Sequence, residues 1–159
     1  MSDGNKLSPT FELKGIGVAR GIAIGPAFVS ESGTLDVPTY KLKAKEVDKE
    51  IARFEDAVAT ALTQIDKLAK KASDLPASAA EELGYLLQAH GQMLQGSRLV
   101  RGVEKRIRGE RLNAEAAVSQ EVGEISHAFS QMEDSYLSER SKDVRDVGQR
   151  LLRCLMQTP

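Results

Sequence analysis

Val47-Asp-Lys-Glu-Ile51-Ala-Arg-Phe54-Glu-Asp-Ala-Val58-Ala-Thr-Ala61-Leu-Thr-Gln-Ile65-Asp-Lys-Leu68-Ala-Lys-Lys-Ala72 carries an apolar residue at alternating spacings of four and three without a break. That period places Val47, Ile51, Phe54, Val58, Ala61, Ile65, Leu68 and Ala72 on one narrow stripe of a long helix, a seam that faces a partner helix. Ser73-Asp74-Leu75-Pro76 ends it, because proline disfavours helical geometry in the residue before it. Ser78 is expected to cap a second helix through Leu83, Leu86, Leu87, His90, Met93 and Leu94. Glu81 and Glu82 then fall near its positive end, where the helix dipole stabilises a carboxylate by about 0.3–1 kcal/mol. Gly96-Ser97 breaks this helix, and a shorter one runs from Leu99 to Arg108 and stops at Gly109. Asn113 is expected to cap a further long helix from Ala114 to Gln131. Asp134 or Ser135 caps the last helix, which runs to about Leu155 with Leu137, Val144, Val147, Leu151 and Leu155 on its seam.

Upstream the period changes. Phe11-Glu-Leu13-Lys alternates apolar with polar residues, and Ile22-Ala-Ile24-Gly-Pro-Ala-Phe28-Val29 is a short apolar run broken by Gly25-Pro26, so two short strands around a glycine-rich turn are expected. Two strands alone are marginal in water and need something further to pair with. The fold class is therefore mainly α: an antiparallel bundle of two helical hairpins with a short N-terminal β piece from an incomplete α/β subdomain. Residues 1–12 form a flexible terminus, 13–30 the strands, 31–43 a linker and 44–157 the bundle.

Composition narrows the function. The 159 residues are 41% hydrophobic and 28% charged with a formal net charge of -1, so no global field marks the chain for nucleic acid or an anionic membrane. The single cysteine, Cys154, cannot form an internal disulfide, no apolar run approaches the length of a bilayer span, and Met-Ser-Asp-Gly-Asn-Lys lacks an apolar signal region; the expected compartment is the cytoplasm. With no tryptophan, three tyrosines and four phenylalanines, the core must be aliphatic, which suits helix packing.

Gly15, Gly17, Gly21 and Gly25 do not have the context of a phosphate loop, since no strand and helix flank them as a dinucleotide fingerprint requires and no Gly-Lys-Ser/Thr closes a Walker loop. They are read as structural. His90 and His127 stand without the companions that metal binding needs, which leaves His90 either a plain helix-surface residue or a docking contact. Arg98, Arg101, Lys105, Arg106, Arg108 and Arg111 are the one charge cluster; no aromatic interleaves them for base stacking. Arg140 falls three residues after Leu137 and four before Val144, at a seam position, so a buried guanidinium paired with a carboxylate is expected there.

Gly15-Ile-Gly17-Val-Ala-Arg20-Gly21-Ile-Ala-Ile-Gly25, together with Tyr136-Leu-x-Glu-Arg140 and Asp143-Val-Arg145-Asp146-Val-Gly148-x-Arg150-Leu-Leu, resembles the N-terminal part of enzyme I, the phosphoenolpyruvate-protein phosphotransferase that starts the bacterial phosphotransferase system. The resemblance covers about Leu13 to Leu155, two separated motifs in family order with the helical insertion between them. It implies that the bundle binds the small phosphocarrier HPr. The implied partner-binding residues are Glu81, Glu82, Leu86, His90, Met93, Leu94, Arg98 and Arg140. It also implies that the active histidine, in a Gly-Gly-x-Thr-Ser-His type motif, lies outside this chain, which holds no catalytic or metal residue and no cofactor of its own. Magnesium and homodimerisation belong, by the same resemblance, to a longer enzyme and its C-terminal domain. Where the acidic cluster of the common sugar branch follows the second helix, this chain has Gln95-Gly96-Ser97-Arg98, so a nitrogen-related branch with its own carrier stands beside the sugar branch. Two rivals are kept: a stand-alone helical adaptor that self-associates through the Val47 to Ala72 seam, and a binder of RNA or an acidic protein through Arg98 to Arg111.

Overall fold

The computed structural model describes residues 24–25, 36–131 and 135–157, of which 135–139 as backbone alone. The chain divides into two compact units, Met1–Gly33 and Thr34–Pro159. In the first, only Ile24 and Gly25 are described, so the strands expected over 13–30 lie otherwise outside the described residues. The second unit is helical: a 3-10 turn, Ala44–Glu46, leads into α1 (Val47–Ala72), α2 (Ala77–Leu94), α3 (Arg98–Glu110), α4 (Ala114–Ser130) and α5 (Ser135–Met156). α1 and α2 form one hairpin and α4 and α5 the other, with α3 bridging them.

Burial on α1 follows the seam for most of its length. Ile51, Phe54, Ala61, Ile65 and Ala72 are buried and Val47 and Val58 partly so, but Ala57 joins them and Leu68 stays 40% exposed. A straight helix drifts relative to a strict seven-residue repeat, which widens the stripe enough to bring Ala57 into it. Most of the seam is consumed inside the chain, which removes the chief support for self-association.

The helix ends depart from the sequence expectations in instructive ways. α2 begins at Ala77 with Pro76 in the capping position and no side-chain cap, so Ser78 is the second helical residue, not the cap, and Glu81 and Glu82 lie beyond the first turn. Proline fits there because its fixed φ suits a helix start and its missing N–H is no loss. α3 is capped by Ser97, whose side chain accepts from the Val100 amide; the helix runs past Gly109 to Glu110, and Arg111 takes the left-handed conformation with φ 54°. Between α2 and α3, Gly96 holds φ +63°, a backbone that glycine adopts without steric cost.

Asn113 occupies the capping position of α4, yet its side chain does other work. Its Oδ1 accepts from the Tyr40 amide at 2.9 Å, and its Nδ2 donates to the Pro38 carbonyl at 2.8 Å and to Glu115 at 2.9 Å. The cap comes from another helix: Glu50 of α1 accepts the Ala114 amide at 2.7 Å. Residues 38–42, the end of the expected linker, are thus tied to the bundle, with Lys41 and Leu112 forming an antiparallel bridge and Leu42 buried.

Arg53 organises the same end. Its guanidinium donates to both Glu50 oxygens at 2.6 and 3.1 Å, to both Glu115 oxygens at 2.7 and 2.8 Å, and to the Leu155 carbonyl near the end of α5 at 3.3 Å. Burial alone would raise the Glu115 carboxyl, but hydrogen bonds from Arg53 and Asn113 outweigh it and hold it below its ordinary 4.5. A depressed carboxylate contributes stability that is present above the ordinary glutamate range and is lost as pH falls through the folded value. Urea midpoints measured from about pH 5 downward should therefore fall with pH. Arg53→Met should flatten that slope and lower stability near neutrality by about 2 kcal/mol, less than for a fully buried pair because Arg53 is partly exposed.

α4 and α5 approach closely at Gly148, where an added Cβ would lie 2.5 Å from a Val122 methyl. Valine cannot turn aside cheaply. Gly148→Ala should destabilise the fold by about 1 kcal/mol or more despite alanine's better helix propensity, and thermal unfolding of the variant would read the sign directly.

Candidate functional site

α2 separates two faces. Leu87, His90 and Leu94 are buried and Leu83 and Met93 pack against the core, while Glu81, Glu82, Tyr85 and Leu86 face outward, Tyr85 at 66% and Leu86 at 41% exposure. Tyr85 and Leu86 thus stand uncovered beside the Glu81 and Glu82 carboxylates. Tyr85 was not among the residues picked out from the sequence. Its signal is an aromatic one turn after Glu81 on the polar side of α2, and its hydroxyl donates to Glu81 at 3.2 Å.

Of the residues implied by resemblance, Glu81, Glu82, Leu86 and Arg98 are exposed, Met93 and Arg140 are intermediate, and His90 and Leu94 are interior. Leu94, at 1% exposure, is core, and His90 is not a surface contact. The α2 face that carries Leu87 and Leu94 necessarily carries His90 as well, since the three are one helical turn or less apart along the stripe. Arg140 is corrected too: its side chain is 35% exposed and lies 3.6 Å from Asp143 on its own helix. The interior position goes to Ser141, at 3% exposure, three residues before Val144. A small residue there lets α4 and α5 approach.

Asp143 is the node between α2 and α5. It stands 3.9 Å from His90 Nε2, beyond hydrogen-bond reach, and also faces Arg140. His90 Nε2 is the one buried side-chain polar atom among the described residues with no hydrogen-bond partner. Burial pushes the imidazole below its ordinary 6.5, against the opposing charges of Asp143 and Asp146, with Arg150 adding to the lowering. The unfolded chain then takes up a proton that the folded chain resists. Stability should decline as pH falls below the ordinary imidazole range, and His90→Leu should abolish that decline while leaving the acid slope set by Glu115 in place; pH-dependent urea unfolding separates the two.

Two of the six cations in the basic cluster, Arg106 and Arg108, are paired with carboxylates. Arg106 is held by Glu121 at 2.9 Å, Glu110 at 3.0 Å and Glu124 at 2.6 Å, Arg108 pairs with Asp48 at 3.3 Å, and Arg101 donates to the Gly96 carbonyl. Gly102 admits the Glu121 carboxylate against the α3 backbone, where a Cβ would meet it at 2.3 Å. Arg98, Arg101, Lys105, Arg108 and Arg111 are exposed, and Arg106 alone of the run is partly buried. Burial raises the Cys154 thiol, away from the reactive thiolate. Among the described residues no group of three or more His, Cys, Asp or Glu side chains is placed to hold a metal ion, and no helix is long and apolar enough to cross a membrane.

The described helices form a double hairpin whose second helix, α2, presents Glu81, Glu82, Tyr85 and Leu86 outward. The chain belongs to the PEP-utilising enzyme N-terminal family, whose model matches residues 14–140. It is 39% identical over 149 residues to the phosphoenolpyruvate-protein phosphotransferase of Cupriavidus necator, covering 94% of this chain and 25% of that protein. With the phosphotransferase of Listeria monocytogenes it shares 31% over 146 residues, covering 91% and 24%. The chain thus spans about a quarter of the length of these curated relatives. Among solved structures, an NMR solution structure of Enzyme I (nEIt) matches with a TM-score of 0.72 and 28% identity over 79% of this chain and 49% of that one. The N-terminal domain of Enzyme 1 - Nitrogen matches with a TM-score of 0.68 and 25% identity, covering 78% and 50%. In sequence and fold the chain corresponds to the N-terminal region of these enzyme I proteins.

Proposed function

We propose that this region docks an HPr-type phosphocarrier, so that the carrier's histidine is held to accept phosphate from an enzyme histidine outside this chain. The observation that carries the reading is the outward strip Glu81, Glu82, Tyr85 and Leu86 on α2, apolar side chains beside two carboxylates on a rigid helix. Carboxylates at the rim would steer a basic carrier, and the two large side chains supply the desolvated centre. Arg98, exposed at the start of α3, adds a positive charge beyond the far end of α2, so the surface fits a carrier with charges of both signs better than a uniformly basic one. His90 and Leu94 act from beneath, fixing how α2 presents this strip. Met93 and Arg140, both half-buried, complete the proposed contact set. The cytoplasm is the compartment that suits such a carrier.

The measurement is a titration of isotope-labelled chain with unphosphorylated HPr-type carrier, followed residue by residue. Shifts should gather on the exposed face of α2 and the start of α3, and Tyr85→Ala should weaken binding about ten-fold while changing stability by less than about 0.5 kcal/mol. Absence of shifts with carriers of both the sugar and nitrogen-related branches would sink carrier docking.

A further inference from the structure

We propose that the groove between the C-terminal half of α1, α2 and the C-terminal half of α5 docks an acidic amphipathic helix of a partner protein. Its apolar wall joins Leu68 of α1 to Leu83, Leu86 and Leu87 of α2, and Gln149, Arg150 and Arg153 of α5 form the opposite side, around a volume of about 510 Å³. Leu68 belongs to the α1 seam, whose period calls for a facing helix along its whole length. α5 serves α1 from Arg53, bonded to the Leu155 carbonyl, to Gln64, bonded to Arg150 at 3.2 Å. Beyond that point Leu68 is 40% exposed and Leu86 across the groove 41%. On either side of Leu68 the seam is buried, Ile65 at 4% and Ala72 at 3%, so the opening is confined to Leu68 and the α2 leucines that line the groove with it. At the groove's inner wall, His90 carries the buried nitrogen without a hydrogen-bond partner.

Charge selects the occupant. Lys67 and Lys71 flank Leu68 on an adjoining shallow apolar patch that shares Arg150, and Arg153 lies on the α5 side, whereas the groove lining holds one carboxylate, Asp146. Four cations against one anion around a leucine floor complement a helix with apolar residues at i, i+3, i+4 and i+7 and glutamate or aspartate alongside. This surface shares only Leu86 with the α2 strip assigned to the carrier and does not depend on that assignment.

The test titrates isotope-labelled chain with a helix-forming peptide of leucine at those four spacings and glutamate elsewhere, and with its lysine counterpart. The glutamate peptide should shift Leu68, Leu83, Leu86, Gln149 and Arg153, with the lysine peptide binding at least about ten-fold more weakly. The exposed double variant Lys67→Glu/Arg153→Glu should narrow or reverse that preference, and Leu68→Gln should weaken both peptides, with circular dichroism verifying the fold of each. Equal binding of the two peptides, shifts confined to the cations of α3, or shifts of the groove that grow with protein concentration in the absence of peptide would overturn the proposal, the last by assigning the groove to a second copy.

Discussion

Everything at one end of the bundle hangs on the Arg53 guanidinium. Its five donors reach two carboxylates in bidentate fashion and the Leu155 carbonyl, so a single side chain joins α1, α4 and the last turn of α5. Glu50 and Glu115 are buried at 7% and 6% exposure, and neither would be tolerable there without that charge. Because Glu50 also takes the Ala114 amide, the start of α4 is capped from α1, and Asn113 is released to fasten residues 38–40. A planar donor fork suits this geometry; a lysine ammonium could not meet two carboxylates edge to edge.

The other end of the molecule is held by apolar contact and close approach, and there the chain leaves surface uncovered. α2 is anchored by Leu87, His90 and Leu94 and so presents its remaining face outward as a rigid platform. Rigid presentation matters for a docking surface because little ordering cost is left to be met on binding. The His90 and Asp143 contact couples this platform to α5, the helix that also carries Arg140.

Helix content, order and approximate bounds were readable from the chain, since the four-three period of α1 and the Pro76, Gly96 and Asn113 punctuation are local signals. Some readings failed because two local signals competed, others because the deciding partner was remote in sequence. Ser78 looked like a cap because serine is a good one, but Pro76 begins the helix two residues earlier. Asn113 sat at a cap position, yet Glu50 supplies the cap. Arg140 fell on the seam between Leu137 and Val144, whereas its neighbour Ser141, three residues before Val144 and equally compatible with the period, is the residue that is buried. The six-cation run looked continuous until Glu121, Glu124, Glu110 and Asp48 proved to be its neighbours.

By itself the sequence determined the class of fold, the two hairpins and the family, because apolar period, helix breakers and the motifs of the last helix are properties of residues close along the chain. Tertiary structure alone decided that His90 is buried, that Tyr85 is the large exposed aromatic of α2, that Arg53 gathers three helices and that Leu68 lies open. Burial and ion pairing depend on which side chains meet across helices, and a helix surface carries several faces of nearly equal polarity among which only packing chooses.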